Sequence, residues 1–301
     1  MASDAVARPE MSANLRSALY MMASMAGFTG NDAFIKSVSG ELPLFQAVFL
    51  RGVLATALIA GLAWQQGAFR FRVGARDRRL IALRCAAEIG GTVCFLTALF
   101  NMPIANASAI LQSTPLAVTL GAAMFLGEPV GWRRYVAIAI GFLGVVIIVR
   151  PGSDGFTAYS LLALATIVFI VIRDLATRCL SPDVSGLGVG FVTSLMLTTV
   201  AGIAAGLTDW RPVTPGHALP LMVAAACLLV GYVFGVMTVR TGEIGFVQPF
   251  RYSALIWALL FGILMFGEWP DAWMLIGTTI VVATGLFTLY RERQVAGGTA
   301  A

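Results

Sequence analysis

IANASAILQSTPLAVTLGAAMFLGE, residues Ile104 to Glu128, and IGFVQPFRYSALIWALLFGILMFGE, residues Ile244 to Glu268, align without a gap at an offset of 140. Ser113 falls on Ser253, Leu120 on Leu260, and Gly127-Glu128 on Gly267-Glu268. Each copy is long and apolar enough for a membrane-crossing helix, which takes about 20 residues to span about 30 Å of hydrocarbon. In each the Gly-Glu closes the run and a short turn leads into the next. A second, fainter match sets Asn31-Asp32 against Arg173-Asp174, so the duplication reaches beyond a single helix. Self-similarity at so long a period marks two copies of a multi-helix unit.

Apolar windows recur along the whole chain. They run from Leu15 to Ser37, Pro43 to Trp64, Leu80 to Phe100, Ile104 to Leu126, Tyr135 to Val149, Thr157 to Thr177, Val184 to Leu207, Ala218 to Val239, Ile244 to Phe266 and Ala272 to Tyr290. Five spans per copy is an odd number, so the second copy meets the membrane from the opposite side. The expected fold is all-α integral membrane, with ten transmembrane helices as two inverted five-helix repeats. A polar segment is expected over residues 1–14, the first repeat over 15–150, the second over 156–291 and a tail over 292–301. Connections such as Asn101 to Pro103 and Arg240 to Glu243 leave no room for a soluble domain.

Composition agrees. The chain is 58% hydrophobic and 12% charged, with a mean hydropathy of +0.86, whereas soluble domains carry roughly a quarter charged residues. The alternating segments of about 10 residues that mark outer-membrane strands are missing. Arg16 precedes the first apolar run and no small-residue cleavage site follows it, so a retained helix is expected rather than a signal peptide.

Basic residues divide unevenly between alternate connections. Thirteen arginines (Arg8, Arg16, Arg70, Arg72, Arg76, Arg78, Arg79, Arg133, Arg134, Arg178, Arg240, Arg291 and Arg293) fall on one side, and Lys36, Arg150 and Arg211 on the other. The positive-inside rule then puts both termini in the cytoplasm. This placement also explains the net charge of +5 without nucleic acid as a partner. Trp64, Trp132, Trp210, Trp269 and Trp273 stand at span ends as an interfacial belt would, and Trp257 lies mid-span. Cys85, Cys94, Cys179 and Cys227 lack metal-ligand spacing and read as packing thiols. With His217 as the only histidine, no metal site, catalytic group or cofactor is expected.

Four motifs together resemble one family. They are Phe125-Leu126-Gly127-Glu128, Met265-Phe266-Gly267-Glu268, Pro103-Ile104-Ala105-Asn106-Ala107 at the start of the fourth span, and Asn31-Asp32-Ala33-Phe34-Ile35-Lys36 at the end of the first. The chain is identified on them as a member of the drug/metabolite transporter superfamily, of the ten-helix EamA type. In the second half Pro115 has no partner at Leu255, and Gln248-Pro249-Phe250-Arg251-Tyr252 stands earlier in its span. The resemblance implies a midplane cavity lined by spans 1, 3, 4, 6, 8 and 9, spans 5 and 10 at the periphery, and transport not driven by ATP. The absence of a GxxxxGK[ST] phosphate loop agrees.

Ionisable groups at membrane depth cost about 2.5–3.5 kcal/mol on insertion scales, so each needs a partner, a wet cavity or a way out. Asp32, Arg51, Arg84, Glu88, Arg173, Asp174 and Arg251 are the seven. Arg84 and Glu88, four apart, are spaced for an intrahelical pair, with Glu88 alternatively a cavity carboxylate. Asp32 and Arg51 at comparable depth are expected to touch, as structure or as an outer gate. Asp174 and Arg251 would mirror them as an inner pair, with Arg173 beside them; the alternative is solvation at a helix end. Arg251 is the candidate for a bidentate contact with a substrate carboxylate. Gln112, Tyr232, Gln248, Tyr252 and Trp257 are the other candidates for a polar cavity with aromatic walls, packing being the alternative for each. Glu128 and Glu268 read as structural turn residues.

The expected function is secondary transport or facilitated movement of amino acids, including aromatic ones, or similar small metabolites. It would proceed by alternating access across a bacterial inner membrane, as export. An uptake carrier for a zwitterionic or cationic metabolite such as S-adenosylmethionine is the alternative within transport, and a non-transporting receptor or scaffold the alternative outside it. The expected partners are a small-molecule substrate and the lipid bilayer, the chain being a monomer or, alternatively, a dimer.

Overall fold

The computed structural model describes residues 13–67, 73–128, 130–151, 157–241 and 244–298, and these are helices joined by turns. The expectations resting on Arg8, Arg70 and Arg72, on residues 1–12 and on 299–301 lie outside the described residues, as do the side chains of Arg240 and Arg293.

Twelve α-helices are present among the described residues: α1 Ala13–Lys36, α2 Leu44–Gln65, α3 Ala75–Asn101, α4 Ile104–Leu111, α5 Thr114–Leu126, α6 Trp132–Val149, α7 Ala158–Arg178, α8 Gly186–Gly206, α9 Pro215–Thr241, α10 Ile244–Val247, α11 Ser253–Phe266 and α12 Ala272–Gly298. A 3-10 turn, Gln248–Tyr252, joins α10 to α11. Nine spans are long and apolar enough to cross a membrane when α4 with α5, and the 3-10 turn with α11, are each taken as one. The first span, α1, is more polar. Its 24 residues nevertheless reach about 36 Å at 1.5 Å per residue.

The fourth and ninth spans were expected to be continuous, and both are broken. Pro115 lacks the N–H that would bond the carbonyl of Leu111, and its ring sits in the first turn of α5, where proline is tolerated. The hydroxyl of Thr114 donates to the Leu111 carbonyl at 2.5 Å and that of Ser113 to Ile110 at 2.8 Å, so the freed acceptors stay satisfied. The ninth span breaks for another reason, Pro249 in its 3-10 turn. Even so, the straight segment resumes at Ser253, the repeat partner of Ser113. Both copies end on a left-handed glycine, Gly127 at φ 68° and Gly267 at φ 64°. Only glycine takes that conformation freely.

Packing follows the duplication. The first span packs along the eighth, α1 on α9, and the sixth along the third, α7 on α3; these two pairings exchange under the repeat. The second packs on the seventh, α2 on α8, and the fifth on the tenth, α6 on α12. Glycines permit two of these approaches. A Cβ on Gly27 would lie 2.6 Å from the backbone nitrogen of Gly231, and one on Gly277 would lie 2.5 Å from the carbonyl oxygen of Gly144. Trp64, Trp132, Trp210, Trp269 and Trp273 are exposed at helix ends, whereas Trp257 is half-buried.

The buried apolar cluster is concentrated toward one end of the bundle. Ala33, Ile35, Val38, Leu96, Leu99, Met102 and Ile104 gather where α1 and α3 end and α4 begins. That end is the face opposite the one carrying Arg76, Arg78, Arg79, Arg133, Arg134 and Arg178.

Candidate functional site

A cavity of about 1090 Å³ opens toward the arginine-rich face and ends against this apolar cluster. Gln66, Gly67, Asp183 and Ser185 line its mouth; Asn31, Leu96 and Thr198 line its floor. Asp32, Arg51, Arg84, Glu88, Arg173, Asp174 and Arg251, the charged residues read from the sequence as needing a wet environment, all line it. The walls come from the expected spans and also from α2 and α8, which the resemblance did not imply. No lining residue belongs to α6 or α12.

The pairing inside differs from that expected. Arg84 does not bind Glu88: its guanidinium donates to Thr177 at 3.0 Å and to Thr193, because it points toward α7 and α8. Glu88 instead pairs across the α3–α7 contact with Arg173 at 3.2 Å, and Arg173 also binds Asp174 at 2.8 Å. Arg51 does not reach Asp32 directly. It donates to the Asn31 carbonyl oxygen at 3.0 Å, and the Asn31 amide donates to Asp32 at 2.9 Å. Asn31 thus mediates a contact that charge alone does not reveal.

The guanidinium of Arg251 makes no hydrogen bond or ion pair with a described side chain, so the expected direct pair with Asp174 is not formed. Its backbone carbonyl accepts from the Gln112 amide at 3.5 Å, which links the breaks of the fourth and ninth spans. Tyr232 lines the cavity, stacks edge-on against Phe28 at 5.4 Å, and lies within electrostatic reach of Glu88, Arg173, Arg84 and Arg51.

Four aromatic or amide candidates lie elsewhere. Tyr252 is 8% exposed and its hydroxyl is packed against Gly285 on α12. The Trp257 indole donates to the carbonyl of Met22 at 3.2 Å in the contact between α1 and α11. Neither Gln248 nor Gln112 lines the cavity. Glu128 pairs with Arg178 at 2.7 Å, and Glu268 with Lys36 at 2.5 Å. Thr177 and Thr193 are polar contacts that the sequence reading did not single out, and it named Asn31 only as part of a motif.

The four cysteines are free, and the described residues hold no cluster of histidine, cysteine and carboxylate suited to a metal. A bundle of lipid-length helices around a charged, one-sided cavity defines a membrane transporter, and the comparisons agree. The profile of the EamA-like transporter family matches residues 15–150. A riboflavin transporter of Vibrio cholerae is 31% identical over 71% of this chain and 74% of its own length. The pseudopaline exporter CntI of Pseudomonas aeruginosa is 28% identical over 87% of this chain and 92% of its own length. An S-adenosylmethionine uptake transporter of Rickettsia bellii is 22% identical over 91% and 94%. A crystal structure 17% identical in sequence superposes with a TM-score of 0.63, covering 91% of this chain and 96% of that one. The chain belongs to the EamA-like transporter family of the drug/metabolite transporter superfamily. It is a multi-pass membrane transporter of a small molecule and not an enzyme.

Proposed function

We propose that this transporter moves a carboxylate-bearing small metabolite, an amino acid or a larger metabolite built on one, by alternating access between its inverted halves. One observation carries the reading: Arg251 presents its guanidinium to the cavity with no hydrogen-bonded or ion-paired side chain, Asp174 lying only within electrostatic reach, while Arg51, Arg84 and Arg173 are each engaged. At membrane depth the cavity holds four guanidiniums against the three carboxylates Asp32, Glu88 and Asp174. A solute carboxylate would balance that charge, and the planar fork of arginine suits it. Glu88 and Asp174, held by Arg173, can exchange part of that pairing for a solute ammonium. Tyr232 and Phe28 supply an aromatic wall.

The cavity lies just above the ~300–1,000 Å³ usual for small-molecule sites, which favours a solute larger than a single amino acid. The excess of arginine on the open face supports a cytoplasmic opening, with both termini on that side of a bacterial inner membrane. A cavity loaded from the cytoplasm is the arrangement an exporter needs. Uptake is the second reading, favoured by the likeness to S-adenosylmethionine uptake transporters over nearly the whole chain.

The test is a panel of radiolabelled amino acids and their conjugates in proteoliposomes, with and without a pH gradient. Carboxylate-bearing solutes should move faster than in empty vesicles, and their esters more slowly than the acids. Equal movement of acid and ester would refute the carboxylate reading.

A further inference from the structure

The Gly-Glu motifs that end the two duplicated stretches hold ion pairs at opposite ends of the bundle, and the duplication relates those pairs. Lys36 ends α1 four residues after Asp32, and Arg178 ends α7 four residues after Asp174. Lys36 binds Glu268, and Arg178 binds Glu128. Their surroundings differ. At the closed end the side chains of Lys36 and Glu268 are 9% and 20% exposed; at the open end those of Arg178 and Glu128 are 50% and 49% exposed.

The closed-end pair reaches further than its own turn. Glu268 already closes that turn through its backbone, its N–H bonding the Gly262 carbonyl at 2.9 Å. Its carboxylate is therefore free for the other repeat: Oε1 holds Lys36, and Oε2 accepts the N–H of Ile104, the first residue of α4, at 2.8 Å. Lys36 also donates to the Met102 carbonyl at 2.7 Å and lies 4.9 Å from the centre of the Phe266 ring. One cluster thus pins α1, the α3–α4 turn and α11 together, where the cavity stops.

We propose that Lys36–Glu268 and Arg178–Glu128 are two latches of the transport step, engaged alternately at opposite faces. This rests on the alternating-access reading. With the cavity open at the arginine-rich face, the Lys36 latch is engaged and nearly dry, while the Arg178 pair is wet and loose. Opening the other face separates Lys36 from Glu268 as water reaches both, because neither charge can stay buried alone. The Arg178–Glu128 pair then becomes the dry one. Two similar latches keep the two states near in free energy.

The test uses chain lacking the native cysteines and carrying Ser194→Cys, a position lining the cavity. Labelling by a membrane-impermeant thiol reagent is read from each face of sealed vesicles, alongside solute counterflow. Lys36→Ala and Glu268→Gln should each raise labelling from the closed face relative to the open one by about fivefold or more, a coupling of ordinary size. Arg178→Ala and Glu128→Gln should shift the ratio the opposite way, and Lys36→Arg should restore it. Glu268→Gln keeps an acceptor for Ile104, so it separates loss of charge from loss of the helix. If the parent chain is labelled from both faces but the latch variants leave the ratio unchanged, the latches are refuted while alternating access stands. Labelling of the parent from one face alone during counterflow overturns both.

Discussion

Arg173 and Glu88 face each other across α7 and α3 with guanidinium and carboxylate 3.2 Å apart. Among the described residues this is the ionic bridge between helices that lines the cavity. Both side chains keep access to the cavity, at 29% and 22% exposure.

That exposure sets the cost of breaking the pair. A sealed pair loses roughly 3–5 kcal/mol when one partner is removed, but here screening by cavity water reduces the loss to about 1 kcal/mol. Glu88→Gln should therefore lower the melting temperature in detergent by only a few degrees. Transport should suffer more, because Arg173 is then left to Asp174 and the proposed ammonium site loses a charge. The expected fall in initial rate is about tenfold, measured by uptake at fixed solute concentration. A large drop in melting temperature with unchanged rate per folded molecule would make the bridge structural.

Arg251 should behave differently, because its removal breaks no hydrogen bond or close ion pair, and Asp174, within its electrostatic reach, keeps Arg173. Arg251→Ala is expected to raise the half-saturation concentration for a carboxylate solute about ten- to a hundredfold, the worth of a hydrogen bond to a charged group. Its effect on a neutral ester that still enters should be slight. Equal losses for acid and ester would place its role in the break of the ninth span, where its carbonyl holds Gln112.

The Trp257 indole bonds Met22 and the Tyr252 hydroxyl abuts Gly285, and neither ring lines the cavity. Trp257→Phe keeps an aromatic ring, though one fused ring smaller, and removes one hydrogen bond. It should cost about 1 kcal/mol of stability and leave half-saturation unchanged. Tyr232→Ala, by contrast, strips an aromatic group from the cavity wall and should weaken solute binding. A binding defect in the tryptophan variant matching that of the tyrosine variant would reverse this assignment.

These residues also show what could be read from the chain alone. The ten spans were legible because lipid demands continuous apolar runs, and the seven charges because burial in a membrane is costly enough to make them conspicuous. Hydroxyls carry no such signature, so Thr177 and Thr193 were invisible until α7 and α8 were seen beside Arg84. Partner choice depends on helix rotation and on contacts between distant parts of the chain. The i, i+4 rule named Glu88 for Arg84, yet Arg173 on another helix wins it. For Tyr252 the structure takes the packing alternative, because a 3-10 turn advances about 20° more per residue than an α-helix, so a five-residue 3-10 segment swings later side chains by roughly 100°. Lys36 was read as an interfacial charge, since nothing in its span announces that Glu268 lies beside it.

The contact between α6 and α12 separates scaffold from site, because neither helix lines the cavity although the two pack together. A Cβ on Gly277 would meet the Gly144 carbonyl oxygen at 2.5 Å and the Cγ1 of Ile148 at 2.6 Å, so the helices must part to admit it. Gly277→Ala should cost about 1–3 kcal/mol, the usual penalty of overpacking, read as a lower melting temperature and a smaller folded fraction in detergent. Gly61 on α2 has nothing within 4 Å of its added Cβ, and Gly61→Ala should gain up to about 1 kcal/mol from helix propensity. Because α6 and α12 do not line the cavity, the molecules of Gly277→Ala that do fold should keep the parent half-saturation concentration. A shifted value at normal stability would mean that this contact moves during transport instead of serving as a fixed frame.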